Sequence, residues 1–212
     1  MYDPLLLRTD DVSVDRPFTH PWHVAVDHAY LVELFVDLLR LLPNSTWHTA
    51  AGQQTLFYPD HEHCHKRIIL LDGDYLQRGA ALSVIGFFGN KQRTLSEEIV
   101  AEINAADRQL TARFTTFADI VCYYTILLPD GYNYANLVLL KRPEGVIAWN
   151  ASPLHQHAAR FLSPRFYDNV RIYHGTIPAG SNTARPLRLT SVKYWDFRTT
   201  PTWHAIRELT AA

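Results

Sequence analysis

Residues 120–140, IVCYYTILLPDGYNYANLVLL, read as two β-prone runs, Ile120–Leu128 and Ala135–Leu140, folded back on each other by the pentapeptide Pro129-Asp-Gly-Tyr-Asn. Pro presets the turn, Gly supplies a positive φ, and Asp and Asn bond their own backbone, so the segment is a hairpin. What flanks it sets the topology. Upstream lie a strand pattern, Leu82–Phe88, and a helix opened by Thr94-Leu-Ser-Glu-Glu, with Ile99, Ile103 and Leu110 on one stripe and carboxylates in its first turn. Downstream a second helix runs from about Pro143 to Phe161, followed by strands at Val170–Ile177 and Leu187–Phe197. The order from Leu82 is therefore β-α-β-β-α-β with one extra strand. That is an α+β fold of the ferredoxin-like split type, expected to form an antiparallel sheet with its helices on one face.

Ahead of this unit, residues 1–25 hold Pro4, Pro17 and Pro21 without a sustained period and read as an arm. From Asp27 the apolar residues Tyr30, Leu31, Leu34, Phe35, Leu38, Leu39 and Leu42 recur at spacings of three and four until Pro43-Asn44 stops them. This is an amphipathic helix of about fifteen residues. Gln54–Tyr58 and Lys66–Leu71 are short strands around Asp60-His-Glu-His-Cys-His65, either a hairpin or a pair of edge strands. The expected organisation is an N-terminal helix-plus-hairpin extension over 1–78, a ferredoxin-like domain over 79–199 and a C-terminal tail over 200–212.

Of the 212 residues 47% are hydrophobic and 19% charged, enough apolar material for a packed core. Lys and Arg number 20 against 21 Asp and Glu, and no run of five or six like charges occurs, so the basic face that nucleic-acid binding needs is not indicated. The longest apolar runs, Ala80–Phe88 and Ile120–Leu128, are about nine residues against the ~20 a bilayer requires, so no membrane span is expected. Asp3, Asp10 and Asp11 stand where a signal peptide would be apolar, which points to a cytoplasmic location. Only Cys64 and Cys122 occur, in unlike settings, and a disulfide framework has no support. Neither GxGxxG, Walker A, GxSxG nor HExxH is present, so the dinucleotide, nucleotide, serine-hydrolase and zincin classes lack a motif.

At Trp149-Asn-Ala-Ser-Pro-Leu-His-Gln-His the second helix resembles the corresponding segment of the dimeric α+β barrel superfamily, which includes antibiotic-biosynthesis and heme-degrading monooxygenases. The resemblance spans residues ~81–197. Asn136-Leu-Val-Leu-Leu precedes Trp149, Ser152, His155 and His157 as a strand precedes a Trp, a Ser and a His there; the heme-ligating position itself falls nearer Ala159, about one turn beyond His155. Asn90, at the end of the first strand, stands for the family's catalytic Asn. The resemblance implies heme as cofactor and a homodimer whose two sheets close into a barrel over strand residues such as Val121, Tyr123 and Leu127; the helix near Asp27–Leu42 is then expected outside or at the pocket mouth, the alternative being that its apolar stripe covers the sheet by itself and leaves a monomer.

Two histidines two residues apart on a helix point about 200° apart, so one of His155 and His157 at most can bind a single metal. The apolar stripe through Leu154 and Phe161 favours His157, and the family comparison favours His155; either can also be a hydrogen-bonded core or interface histidine. Phe88, Tyr124, Trp149 and Trp195 are the candidate aromatic walls of the cofactor pocket, and Asn90, Arg171 and His174 the candidate donors to bound oxygen or substrate. On the fourth strand His174 alternates with Val170 and Ile172, which places Arg171 and Tyr173 on the other face. On the fifth, Val192, Tyr194 and Asp196 share a face opposite Lys193, Trp195 and Phe197; Asp196 either orients a His or pairs with a surface Arg. His61, His63 and His65 share a face of an extended tract and could take a transition metal, or form a solvated hairpin tip.

Together these readings lead to a heme-binding oxidative, monooxygenase-like enzyme acting on a small, largely apolar substrate in a pocket between sheet and helices. The alternatives are a cofactor-independent oxygenase or isomerase using His157 or His174 as general base, and a non-catalytic ligand-binding dimer.

Overall fold

A computed structural model describes residues 3–44, 46–50, 52–59, 65–180 and 186–209. Ten strands form one sheet: β1 (Leu5–Leu7), β2 (His48–Ala50), β3 (Gln53–Pro59), β4 (His65–Leu70), β5 (Leu82–Lys91), β6 (Ile120–Leu127), β7 (Tyr134–Leu140), β8 (Tyr167–Ile177), β9 (Arg188–Asp196) and β10 (Trp203–Glu208). Their spatial order is β1-β10-β9-β8-β5-β7-β6-β4-β3-β2, and every neighbouring pair is antiparallel except β1 with β10. The helices are α1 (Pro21–Leu41), α2 (Gly73–Gln77), α3 (Glu97–Thr111), α4 (Gly145–Ala151), α5 (Pro153–His157) and α6 (Ser163–Phe166). Among the described residues no helix is long and apolar enough to cross a membrane.

The four central strands β8-β5-β7-β6, with α3 between β5 and β6 and α4–α6 between β7 and β8, reproduce the ferredoxin-like arrangement read from the sequence. Gly131, with φ +66°, closes the β6–β7 hairpin. Three expectations are corrected. The extension is not a separate unit, because β4 pairs with β6 and carries β3 and β2 into the same sheet. Residues 200–212 hold no mere tail, since β10 pairs with β9 along its whole length. Helices cover both faces, not one: α4 packs over Ile69, Ile120 and Leu140 and α3 packs with α6 beside Tyr167, while α1 lies across the opposite face.

α1 starts where the His20 side chain accepts a bond from the Trp22 N–H at 3.0 Å and Pro21 occupies the first turn. Its 21 residues extend about 31 Å, long enough to cross several strands. Leu31, Leu34, Phe35 and Leu38 are buried against Leu82, Val84, Phe88, Tyr124 and Leu137. Gly86 makes this seat possible: a Cβ there would stand 2.5 Å from Leu31 Cδ1. The face assigned by the resemblance to a second copy is thus filled from within the chain. Val121 and Leu127 are buried, and Tyr123 packs on the other side with Phe114. At the far edge the fully buried Arg207 donates from Nε to the Arg8 carbonyl (3.0 Å) and from Nη1 to the Thr19 carbonyl and the Tyr194 hydroxyl (both 2.9 Å), fixing the N-terminal arm to β10.

Candidate functional site

Asp27 lies one turn before Leu31 on the stripe that α1 buries, so its carboxylate is carried into the interior and must find partners there. β8 supplies them. Alternation along that strand turns Arg171 and Tyr173 toward α1. The Arg171 guanidinium donates from Nε to Asp27 Oδ2 at 2.6 Å and from Nη2 to Oδ1 at 3.1 Å, and the Tyr173 hydroxyl donates to Oδ2 at 2.7 Å. Burial works against the Arg171 charge, but the carboxylate outweighs it and holds the guanidinium above its ordinary range. Burial, reinforced by the Asp27 charge, drives the Tyr173 phenol far up, so it remains a donor. Among the described residues Arg171 Nη1 has no protein acceptor, and its guanidinium lies 5.7 Å from the Phe88 ring centre.

These groups wall a cavity of about 230 Å³ between α1 and the sheet, which Val26, Tyr30, Phe88 and Leu128 make mostly apolar. Asp130 stands on its rim, where burial would raise its carboxyl but the N–H groups of Asn133 (2.8 Å) and Tyr132 (2.9 Å) hold it low and ionised. His23, one turn before Asp27, lines the same cavity. Burial first, and the Arg171 charge second, lower its pKa, so the imidazole is neutral near pH 7. The Pro17 backbone nearby acts the other way but more weakly, and a neutral imidazole keeps a lone pair on its unprotonated nitrogen. The cavity thus pairs a neutral base with a cationic N–H donor beside an apolar wall. Both belong to the general acid–base repertoire.

Of the residues singled out from sequence, the structure brings Phe88 and Arg171 together here. Tyr124 faces α1 further along, fully buried, its hydroxyl donating to Asp37 at 2.5 Å. Asn90 does not reach the cavity, and its Nδ2 donates to Asn169 Oδ1 at 2.9 Å. His174 is on the opposite sheet face, half-buried, where burial and then Lys193 lower it to about 4. Trp195 is on that face too, stacked on His204 at 4.9 Å. Asp196 is buried and salt-bridged to Arg198 and Arg16, the structural role rather than the catalytic one.

Trp149, His155 and His157 belong to the outer helix layer. His155 is half-buried, 4.9 Å from Trp149, and burial lowers its pKa. His157 is exposed with Phe161, itself 62% exposed, so the stripe that favoured it points to solvent. The break at Ser152-Pro153 and a wide turn over Ala158–Leu162 rotate the helix away from the regular phase that the stripe assumed.

The residues do not fit a heme. The candidate ligands His155 and His157 stand outside both cavities described for this chain, with the whole sheet between them and Phe88, Tyr124 and Arg171. The cavity under α1 is also below the roughly 300–1,000 Å³ of sites for drug-sized ligands. Residues 60–64 of the His-rich tract lie outside the described residues, His65 opens β4, and no group of three or more potential metal ligands occurs among the described residues. Cys122 is buried and its thiol pushed far up by burial, which makes it inert; Cys64 is outside the described residues.

Sequence reasoning missed His23, Asp27, Tyr30 and Tyr173 as a site. The available signal was a carboxylate at a core position of the α1 stripe, since such a group has to be paired. Its partner strand could not be read from spacing.

No protein-family model and no curated protein matches the chain. Among solved structures, protein SO0527 from Shewanella oneidensis aligns with 46% of this chain and 93% of its own, at 12% identity and a TM-score of 0.35. A hydroxynitrile lyase from Passiflora edulis aligns with 49% of this chain and 98% of its own, at 15% identity and a TM-score of 0.37. The chain is distantly similar in fold to these two proteins over about half of its length.

Proposed function

We propose that the cavity under α1 binds a small, mostly apolar carbonyl compound and moves a proton on it without a cofactor, as an isomerase does. The carrying observation is the placement of neutral His23 and of the Arg171 Nη1, unpartnered among the described residues, on one small cavity. The unprotonated nitrogen of His23 takes a proton from the carbon next to the carbonyl. The C–H electron pair becomes a C=C bond as the carbonyl π pair moves onto oxygen, where the Arg171 N–H groups hold the enolate, and the imidazolium returns the proton to the same or the conjugated carbon. Asp27 keeps the guanidinium oriented and neutralised when the site is empty. The heme-dependent oxidation implied by the resemblance would need ligands and walls that this chain keeps on opposite sides of its sheet. The cofactor-independent reading with a histidine base is retained, with His23 in place of His157 or His174.

Incubation with cyclohexanone in D₂O, followed by proton NMR, tests the reading. Wild-type protein should exchange the α-protons faster than buffer, and His23→Ala should lose about 100-fold of that rate at unchanged thermal midpoint. Exchange no faster than buffer, or fully retained in His23→Ala, overturns it.

A further inference from the structure

The strands added outside the ferredoxin-like unit border a second, larger and open cavity of about 570 Å³, within the range of small-molecule sites. Leu5 and Leu6 of β1 form one side, the 199–202 turn with Trp203 another, and Arg16 of the N-terminal arm reaches it from below. The Arg16 guanidinium lies 4.4 Å over the Trp203 ring, which fixes its plane. Its Nε is 3.4 Å from Asp196 Oδ2 but makes no hydrogen bond, and among the described residues neither Nη group has an acceptor.

The reason is that Asp196 is already occupied. Arg198 donates to both its oxygens at 2.9 Å and through its backbone N–H at 3.1 Å. Arg16 is therefore left beside a carboxylate whose two oxygens are already taken by Arg198, itself also facing the charge of Asp168. The Thr199 hydroxyl is spent within the turn, donating to the Pro201 carbonyl and accepting from the Trp203 N–H, whereas Thr200 and Thr202 bring hydroxyls that bond no described residue. Asp3 is the opposing charge on the wall; it is exposed, where water and salt screen it.

We infer that this cavity is a binding site for a small molecule with an oxyanion head, a carboxylate or phosphate, and an apolar body. The head accepts from the Arg16 Nη groups in the two-pronged geometry that a guanidinium offers, with Thr200 and Thr202 donating beside it. The body rests on Leu5 and Leu6, which are otherwise 52% and 75% exposed. The site is independent of the cavity under α1, from which the sheet strands β8, β9 and β10 separate its chemistry.

Calorimetric titration of the intact chain with benzoate, acetate and inorganic phosphate tests it. Saturable binding is expected, with benzoate at least about tenfold tighter than acetate if the natural head is a carboxylate, and phosphate tightest if it is a phosphate. Arg16→Gln should weaken the best probe about tenfold or more, as should the double change Thr200→Val and Thr202→Val on the exposed turn, which leaves the core untouched. His23→Ala should bind it as wild type does. Failure of all three probes to saturate by about 10 mM, or wild-type affinity in either the Arg16 or the threonine variant, overturns the assignment.

Discussion

Asp27 and Arg171 are both buried, and their value lies in their being together. Removing one partner strands the other charge, so Asp27→Leu alone should cost about 3–5 kcal/mol in urea unfolding, whereas adding Arg171→Met should recover much of the loss. Equal destabilisation in the single and double variants would show that the pair is not coupled. His174 gives a second residue-scale outcome. Its folded pKa of about 4 lies below the ordinary imidazole value of 6.5, so the neutral form is the one that folding favours. Its contribution is complete above pH 6.5 and is lost as pH falls from 6.5 toward 4. The urea midpoint should drop over that interval, and less so in His174→Gln; His23 and His155, lowered by burial as well, add to the same acid limb. At this scale the sequence exposed the alternation of Arg171 and Tyr173 against His174, but not which face would meet a helix, because strand periodicity is blind to what packs above it.

At the scale of elements, α1 and the hairpin around Gly131 were legible from spacing and turn residues, and α3 does open within Thr94-Leu-Ser-Glu-Glu, where Ser96 turns out to be the cap, accepting from the Ile99 N–H at 3.3 Å. The second helix was not. Read as one regular helix, it assigned His157 to the sheet side; in fact Pro153 and the wide turn after His157 reset its phase twice. Since neither histidine there lines the cavity under α1 or the one at the sheet edge, protein purified from iron-supplied cells should show no Soret band, and a band abolished by His155→Ala would refute the placement. The seat of α1 is more demanding. Gly86→Ala puts a methyl group into Leu31, and overpacking of this kind should cost about 1–3 kcal/mol, with Leu31→Ala restoring room in the double variant. Additive losses from the two changes would mean that α1 does not sit on Gly86.

For the whole molecule, the central ferredoxin-like order followed from the succession of elements, and β3, β4 and β9 were read as strands, while β1, β2 and β10 were not, because a short strand at a sheet edge has no period of its own to betray it. With α1 over the face that a barrel partner would use, closure by a second copy requires α1 to leave. Light scattering on an eluting peak is therefore expected to give 24.3 kDa, and a stable mass of twice that would place an interface elsewhere, at the open strip around Leu6, Trp195 and His204. The parallel pairing of β1 with β10 has its own consequence in time. Leu5 meets Ala205, a partner that leaves the ribosome 200 residues later. Throughout synthesis the Leu5–Leu7 edge and the carbonyls that Arg207 will bind have nothing to close on, so the arm is the last part of the fold to lock, and the nascent chain carries an unpaired leucine strand until then.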